Sequence, residues 1–328
     1  MNRRRTLVCL LALAIIIGGA GHAAAHGIIG QRFFPASLTI DDPFVADELS
    51  LPTVSSIKMP GSGDGNRTWE TDVSAEFSKR LSRDLGISVA GTWKTLNPDQ
   101  GPSLTGFDNL EVTLKYVFFQ SPEHETLVSA GVAWEVGGTG SKRVGSDSFD
   151  RVTPTLFFGK GFGDLPDSLE LAKPLALTGV FGYSVPTRLR TQTISIADDG
   201  GVDVARDLNP EIIKWGFTVQ YNFQYLQSFV RDVGLPAPLN RMIPIVEFAM
   251  QTPTDGRDAG HTTGTINAGI IWFGRYMQLG IEAMIPVNAR TGKNIGVVAQ
   301  IHFYLDDIAP QIFTWTPFSG VLGPTQPK

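Results

Sequence analysis

Apolar and polar side chains alternate between residue 68 and residue 306, in segments of about ten residues. A period of two is typical of β-strands that have one apolar face and one polar face. In the clearest segment, residues 213–225, the odd positions are aromatic or aliphatic and the even positions are polar or glycine. Eleven such segments begin near Thr68, Leu85, Phe107, Glu125, Val152, Pro174, Glu211, Met242, Thr263, Tyr276 and Asn294. The pattern predicts an all-β chain.

The links between these segments alternate in length. Short links at 82–84, 120–124 and 274–275 alternate with long ones at 97–106, 137–150, 187–210 and 252–262, and two medium links, 164–173 and 227–241, stand at short positions. Outer-membrane barrels have short periplasmic turns and long outer loops. A twelfth strand at 51–58, joined by the loop 60–66, makes the strand count even. We therefore expect a transmembrane antiparallel up-and-down β-barrel of about 12 strands with both ends in the periplasm.

The aromatic residues support this orientation. Four tryptophans fall at the outer ends of strands on the apolar face, namely Trp69, Trp93, Trp134 and Trp215. Other rings of the same face fall near the inner ends, namely Tyr116, Phe118, Tyr221, Phe223, Trp272 and Phe303. Aromatic side chains favour both membrane interfaces, so two belts are predicted. The alternative is a soluble sandwich whose core holds the same rings.

The first 25 residues predict export. Residues 1–5 contain three arginines, residues 6–17 are mostly apolar, and small residues end the stretch at Ala25, as in a secretory signal peptide. Its removal takes away Cys9, the only cysteine, and leaves 24 basic against 32 acidic residues. Nucleic acid is therefore an unsuitable partner. No later stretch reaches 18 apolar residues, so strands must cross the membrane, and the predicted location is the bacterial outer membrane, with its lipid as a partner.

Residues 26–50 do not alternate, although they hold many apolar side chains. Apolar residues this dense in an irregular stretch should be buried, so the segment is predicted to fold into or across the periplasmic mouth of the barrel as a plug. A flexible tether is the alternative. The barrel is assigned to residues 51–307 and a periplasmic C-terminal tail to residues 308–328.

The polar face of the strands is the predicted lumen. The residues expected to line it are Glu70, Asp72, Glu76, Glu111, Lys115, Glu125, Glu135, Lys214, Gln220, Glu247, Glu282, Gln300 and His302. With Asp306 and Lys94 included, nine acidic residues face three basic ones, and such a field favours cations if the lumen is open. A merely solvated face, or an interior blocked by side chains, would also account for these charges.

Three short stretches resemble a known family. Residues 30–36 (GQRFFPA), 41–44 (DDPF) and 48–52 (ELSLP), followed by the barrel pattern through 303–307 (FYLDD), resemble the bacterial outer-membrane barrels described as transporter-like or phenol-degradation MetA-like proteins. The resemblance implies an outer-membrane channel or transporter for small organic, including aromatic, solutes. The chain departs from the usual barrel ending, a terminal aromatic residue, because residues 308–328 follow the last strand.

No catalytic motif is complete. Outer-membrane phospholipases need a serine and a histidine near the lipid, but His302 has lumen parity and no Gly-x-Ser-x-Gly elbow exists. A membrane enzyme would be favoured only if a serine lay beside His302 on the lipid side. His124 and His261 fall in links on opposite sides of the membrane, and residues 159–163 lack the ending of a phosphate loop. We expect no enzymatic activity.

No cofactor or metal site is expected either. A mature N-terminal His26 could contribute to copper binding only with a second histidine, and residues 198–203 lack the pattern of a calcium loop. The favoured function is passive passage of small-molecule solutes. The alternative is an occluded barrel whose outer loops, residues 187–210 above all, make structural or surface contacts. The sequence is compatible with a homo-oligomer as well as with a monomer.

Overall fold

The computed structural model describes residues 27–61, 66–196 and 202–318. Its strands are β1 Ile28–Ile29, β2 Arg32–Phe33, β3 Glu48–Met59, β4 Thr68–Arg80, β5 Leu85–Pro98, β6 Leu104–Phe107, β7 Leu110–Ser121, β8 Thr126–Val136, β9 Arg151–Gly161, β10 Leu175–Pro186, β11 Arg190–Ile196, β12 Val202–Leu208, β13 Ile212–Tyr221, β14 Met242–Pro253, β15 Thr263–Phe273, β16 Met277–Pro286 and β17 Gly296–Tyr304. Twelve of them form the barrel wall. Of the other five, β1 pairs with β2 and β11 pairs with β12 in two separate hairpins, and β6 is a short strand paired with β5.

The wall is closed. Each barrel strand pairs antiparallel with the next along the chain, and β17 pairs with β3 from Tyr304 opposite Glu48 to Val297 opposite Ser56. Closure leaves no unpaired edge, which is what a strand-built wall requires in lipid. The predicted closed barrel of twelve strands is therefore confirmed, including the segments that begin near Val152 and Pro174, which form β9 and β10.

The links at one end of the barrel are mostly short, as expected, although the longer connections 162–174 and 222–241 also lie there. The end where β3 begins and β17 ends also carries the turns between β4 and β5, β7 and β8, and β15 and β16; we call it the short-link end. The opposite, long-link end carries the connections at 99–109, 137–150, 187–211 and 254–262. The longest of these contains the hairpin of β11 and β12, paired from Arg190 opposite Leu208 to Ile196 opposite Val202.

The outer face of the wall is apolar and exposed. Trp69, Trp93 and Trp134 are 37%, 40% and 45% exposed, and aliphatic and aromatic residues two positions apart share their face. Phe217 stacks on Phe248 of the next strand with 4.3 Å between ring centroids. A soluble sandwich would bury these rings between two sheets, so that alternative is wrong. The exposed surface is the one that a lipid bilayer covers.

Two strands end earlier than their alternation predicts. The Asn222 side chain accepts a hydrogen bond from the Tyr225 amide at 3.0 Å and caps the helical turn α1, Phe223–Tyr225. A π-helical turn at Leu226–Val230 follows directly. Tyr225 is consequently buried, and the prediction that the strand continues through Phe223 and Tyr225 was wrong. An Asn side chain that caps a turn competes with the strand ladder.

The last barrel strand also stops early. It ends at Tyr304, and Leu305–Ile308 form the helical turn α2, in which Leu305 is buried. The alternation up to residue 306 predicted a strand there with Leu305 on the apolar, lipid-facing side, and that prediction was wrong. The Leu305 amide donates to the Asp47 carbonyl at 2.9 Å instead of extending the ladder. The remaining helices are short: α3 at Pro310–Phe313 and 3₁₀ turns at Lys142–Val144, Asp167–Ala172 and Leu239–Arg241. Among the described residues, no helix is long and apolar enough to cross a membrane.

The segment before β3, residues 27–47, lies inside the barrel at the short-link end. Ile29 and Phe34 pack against inward-facing apolar residues of the wall, Val117, Leu127 and Ala176. Leu38 packs against a second apolar patch of the wall formed by Ile243, Ile245, Ile271 and Val298. Leu38 also lies where a side chain would extend from Gly280, since a Cβ there would come within 2.6 Å of its Cδ1. Several apolar residues of this stretch are thus covered by the wall, whereas Ile28 at its start stays exposed.

Candidate solute pathway

The barrel encloses a cavity of about 1410 Å³ whose floor is formed by residues 36–46. Six acidic and five basic side chains border it: Asp41, Asp42, Glu48, Glu76, Glu111, Asp258, Lys79, Lys115, Lys214, Arg257 and Arg290. Of the residues predicted to line the lumen, Glu76, Glu111, Lys115, Lys214, Gln300 and His302 border this cavity. The other predicted residues do not border it, although those on the strands share the same inward parity.

Lys115 holds the floor from the β7 side. Its Nζ donates to Asp41 Oδ1 at 2.8 Å and to the Asp42 carbonyl at 2.6 Å, and it lies 4.6 Å from the centroid of the Phe157 ring. The Asp42 carboxylate accepts from the Phe44 amide at 2.8 Å and shapes the turn that follows. Burial raises the pKa of Asp42 to about 7, despite the nearby Lys115 ammonium, which lowers it.

Glu247 holds the floor from the opposite side. Its carboxylate accepts from the amides of Leu38 at 2.8 Å, Thr39 at 2.9 Å and Ile40 at 3.3 Å, and from the Thr39 hydroxyl. Asn267 adds a hydrogen bond from Nδ2 to Thr39 Oγ1 at 2.9 Å. Glu247 is fully buried, so the segment covers a carboxylate that would otherwise face the lumen. Successive backbone amides that converge on one carboxylate form a strong, charge-assisted anchor.

Two other predicted lumen residues on this side are also covered. Glu282 is buried near Glu247 with 1% exposure, and Gln220 is buried with 2% exposure. Gln278, which the sequence did not single out, donates from Nε2 to the Ala36 carbonyl at 2.7 Å and accepts from the Ala36 amide at 3.2 Å. These inward polar groups therefore contact or surround the segment rather than the cavity.

Glu125 lies in the turn before β8, not on a strand face, with a positive φ of 45°. Its carboxylate accepts from Arg32 Nε at 3.0 Å and from the Tyr225 hydroxyl at 2.8 Å. Arg32 is fully buried, lies 3.7 Å from the centroid of the Tyr225 ring and donates to the Pro174 carbonyl at 2.8 Å. Glu125 thus binds the start of the segment at the short-link end.

The charges nearer the long-link end are paired along the wall. Lys94 Nζ lies 3.6 Å from Glu70 Oε1 and 2.9 Å from Asp108 Oδ2, and Asn109 Nδ2 donates to Glu135 Oε1 at 3.0 Å. Asp72 lies on the same inward face of β4 as Glu70, opposite Lys94 in register. These groups stabilise the wall and the loop that follows β5.

A cluster of charged side chains lies near the barrel seam, where the first wall strand, β3, meets the last, β17. Asp47 accepts from Arg80 Nε at 2.9 Å and from Lys79 Nζ at 2.5 Å, while Arg80 Nη2 donates to Asp306 at 3.0 Å. Lys79 also donates to the Phe313 carbonyl at 2.9 Å, so the described part of the C-terminal tail is bound to the short-link end. Asp306 therefore takes part in a buried ion pair and does not face the cavity.

His302 lies beside a serine, but on the cavity side of the wall. Ser50 Oγ is 2.9 Å from His302 Nδ1, and Glu48 Oε2 is 3.4 Å from His302 Nε2. All three residues border the cavity. A serine beside His302 on the lipid side would have favoured a membrane enzyme. The observed pair faces the interior instead, because its strands meet with their polar faces inward.

The alternation of apolar and polar positions did not identify several residues that border the cavity or hold its floor. Arg32, Asp41 and Asp42 lie in an irregular segment, and Glu48 lies three residues before the predicted first strand, 51–58. The density of apolar residues between 27 and 50 indicated burial of the segment but not which wall residues it contacts.

Metal ligation has no structural support among residues 27–61, 66–196 and 202–318, where no three His, Cys, Asp or Glu side chains are grouped to hold an ion. His26 and residues 198–201 lie outside the described residues, as does the signal peptide.

Comparison with known proteins identifies the fold. No family model matches the chain, and no curated protein matches it. An outer-membrane channel from Pseudomonas putida F1 is similar with a TM-score of 0.52 and 10% identity over 83% of this chain and 99% of that chain. A NanC porin (TM-score 0.42, 11% identity, 77% and 98% covered) and a TodX monoaromatic hydrocarbon channel variant (0.43, 10%, 83% and 93%) show more distant likenesses. The chain has the fold of an outer-membrane β-barrel.

Proposed function

We propose that the protein is an outer-membrane channel that lets small solutes pass passively. The observation that carries the proposal is the closed wall of twelve strands around a polar cavity of about 1410 Å³. Such a cavity accommodates molecules of the size of monosaccharides, amino acids or single aromatic rings. The likeness to a solved outer-membrane channel supports the same class of function.

We also propose that the channel prefers cations. Arg290 of the outer rim is paired with Asp258 at 2.8 Å, and Lys79 is bound to Asp47. Deeper in the barrel, five carboxylates border the cavity against two lysines: Asp41, Asp42, Glu48, Glu76 and Glu111 against Lys115 and Lys214. Carboxylates concentrated between low-dielectric walls raise the local concentration of cations.

Conductance in planar bilayers tests both statements. We expect discrete steps, and in a KCl gradient a reversal potential of the sign that K⁺ selectivity produces. Glu76→Gln together with Glu111→Gln should move the reversal potential towards zero. Glu123→Gln, an exposed change in a short link, is the matched control and should leave it unchanged. A reversal potential at zero or of the opposite sign in the unaltered protein contradicts the cation preference, and a folded protein without steps contradicts the channel.

One observation favours the alternative, an occluded barrel with a structural or surface-contact function. Residues 27–47 occupy the short-link end and contact wall residues on opposite sides of the barrel. We propose that this segment is a plug, and that passage requires part of it to move. If Glu247→Gln, which weakens its attachment, increases conductance, the plugged channel is supported. Absence of conductance in both proteins supports the occluded barrel.

A further inference from the structure

Strands β3 and β17 meet at the seam of the barrel with three chemically related side chains on the inner face. Glu48 and Ser50 are two positions apart on β3, and His302 of β17 is opposite Ser50 in register. Ser50 Oγ lies 2.9 Å from His302 Nδ1, and Glu48 Oε2 lies 3.4 Å from His302 Nε2. A nucleophile within hydrogen-bond reach of a base, which a third group orients, is the recurrent arrangement of serine hydrolases.

We propose that Ser50, His302 and Glu48 form a hydrolytic site for small carboxylic esters inside the barrel, with Ser50 as the nucleophile. This activity is independent of passive solute passage. The substrates that fit by size are short acyl esters, because the site borders the cavity of about 1410 Å³. Unlike a lipid-facing site, this one acts on esters that enter the lumen.

The chemistry requires no additional reactant except water. Ser50 Oγ forms a bond to the ester carbonyl carbon while its proton moves to His302 Nδ1. The tetrahedral intermediate then breaks its C–O bond to the alcohol, which leaves with that proton. Water, deprotonated by His302, then attacks the carbonyl carbon of the acyl-serine. The C–O bond to Ser50 breaks, His302 returns the proton to Ser50 Oγ, and the carboxylic acid leaves. Glu48 faces Nε2 and stabilises the imidazolium that forms in each half of the reaction.

The surroundings hold the three side chains in position. His302 is only 3% exposed, and its ring lies edge-on to Tyr304 with 5.5 Å between centroids, which restricts rotation of the imidazole. The ladder between β3 and β17 shifts register next to His302, between Gln300 and His302. β-bulges near functional residues commonly aim a side chain away from the regular ladder. Gln300, the preceding inward residue of β17, borders the same cavity and donates from Nε2 to Thr53 Oγ1 at 3.1 Å; it is a candidate N–H donor to the developing oxyanion.

The experiment uses the folded, full-length protein in detergent and in vesicles. Diisopropyl fluorophosphate labels activated serines, and mass spectrometry of proteolytic fragments locates the label; hydrolysis of p-nitrophenyl acetate gives the rate. We expect label on Ser50 and a loss of hydrolysis of about 10²-fold or more in both Ser50→Ala and His302→Gln. Ser74→Ala is the matched control, since Ser74 also borders the cavity but is hydrogen-bonded to Thr92 at 2.8 Å.

Heat-modifiable mobility in gels verifies that each variant is folded. No label on Ser50 in the folded protein overturns the proposal, and so does a rate of labelling or hydrolysis that is the same in His302→Gln. Conductance of the unaltered protein is measured separately from labelling and hydrolysis, so failure of the hydrolytic site and failure of the channel are distinguishable.

Discussion

Arg32 is fully buried and donates from Nε to Glu125 Oε2 at 3.0 Å, although 93 residues separate the two in the chain. The pair ties the start of the segment 27–47 to the turn between β7 and β8. Arg32 also donates to the carbonyls of Pro174 and Lys173, so one side chain joins three parts of the short-link end. Its removal would leave the Glu125 carboxylate buried beside a vacant space.

Replacing Arg32 with methionine should destabilise the protein by roughly 3 to 5 kcal/mol, because breaking a buried ion pair leaves an uncompensated charge. The free energy of unfolding, followed by tryptophan fluorescence in urea, measures the effect. Arg83→Met is the control, since Arg83 is exposed and lies 3.8 Å from Asp84. An equal loss of unfolding free energy in both variants would show that the buried ion pair contributes no more to stability than the exposed one.

Glu247→Gln should loosen the segment without unfolding the barrel. The amide side chain keeps the size but loses the charge that three backbone amides and the Thr39 hydroxyl share, a loss of about 1 to 3 kcal/mol of attachment. Limited proteolysis from the short-link side should then cleave residues 27–47 faster. Glu123→Gln provides the comparison, and identical cleavage rates would mean that Glu247 does not hold the segment.

The stability of the protein should decrease as pH rises towards neutrality, in part through Asp42. Burial raises the pKa of this carboxyl from 3.8 to about 7, so between these values the folded protein keeps a proton that the unfolded chain has lost. Unfolding then releases a proton and becomes more favourable at higher pH. Unfolding midpoints at pH 4.5, 6.0 and 7.5 check this, and Asp42→Asn should flatten the dependence. A midpoint that rises over this range to the same extent in both proteins contradicts it.

A charge on the outer face should oppose membrane insertion. Phe181 lies in the middle of β10, is 56% exposed and points outward, so Phe181→Lys should cost about 2 to 4 kcal/mol in a bilayer. The folded fraction after refolding into lipid vesicles measures this cost. Phe229→Lys, in a link outside the strands, should have a much smaller effect. A similar folded fraction for both would argue against lipid contact at Phe181.

The positions of the strands could be predicted because alternation is a local property. Each residue that keeps the period of two supports the strand prediction independently of distant parts of the chain. The lengths of the links then indicate in which direction each strand crosses the membrane. The prediction failed at Tyr225 and Leu305, where a capping Asn222 side chain and a hydrogen bond to the distant Asp47 carbonyl outweigh the local pattern.

The alternating sequence by itself determined which residues turn inward and which outward, since successive side chains of a strand point to opposite faces. Only the tertiary structure decided which inward charges are accessible. Glu76 and Glu111 border the cavity, whereas Glu125 and Glu247 bind the N-terminal segment. The difference depends on contacts that the N-terminal segment makes with wall residues far away in the chain. Because this segment has no periodicity, no local sequence pattern predicts those contacts.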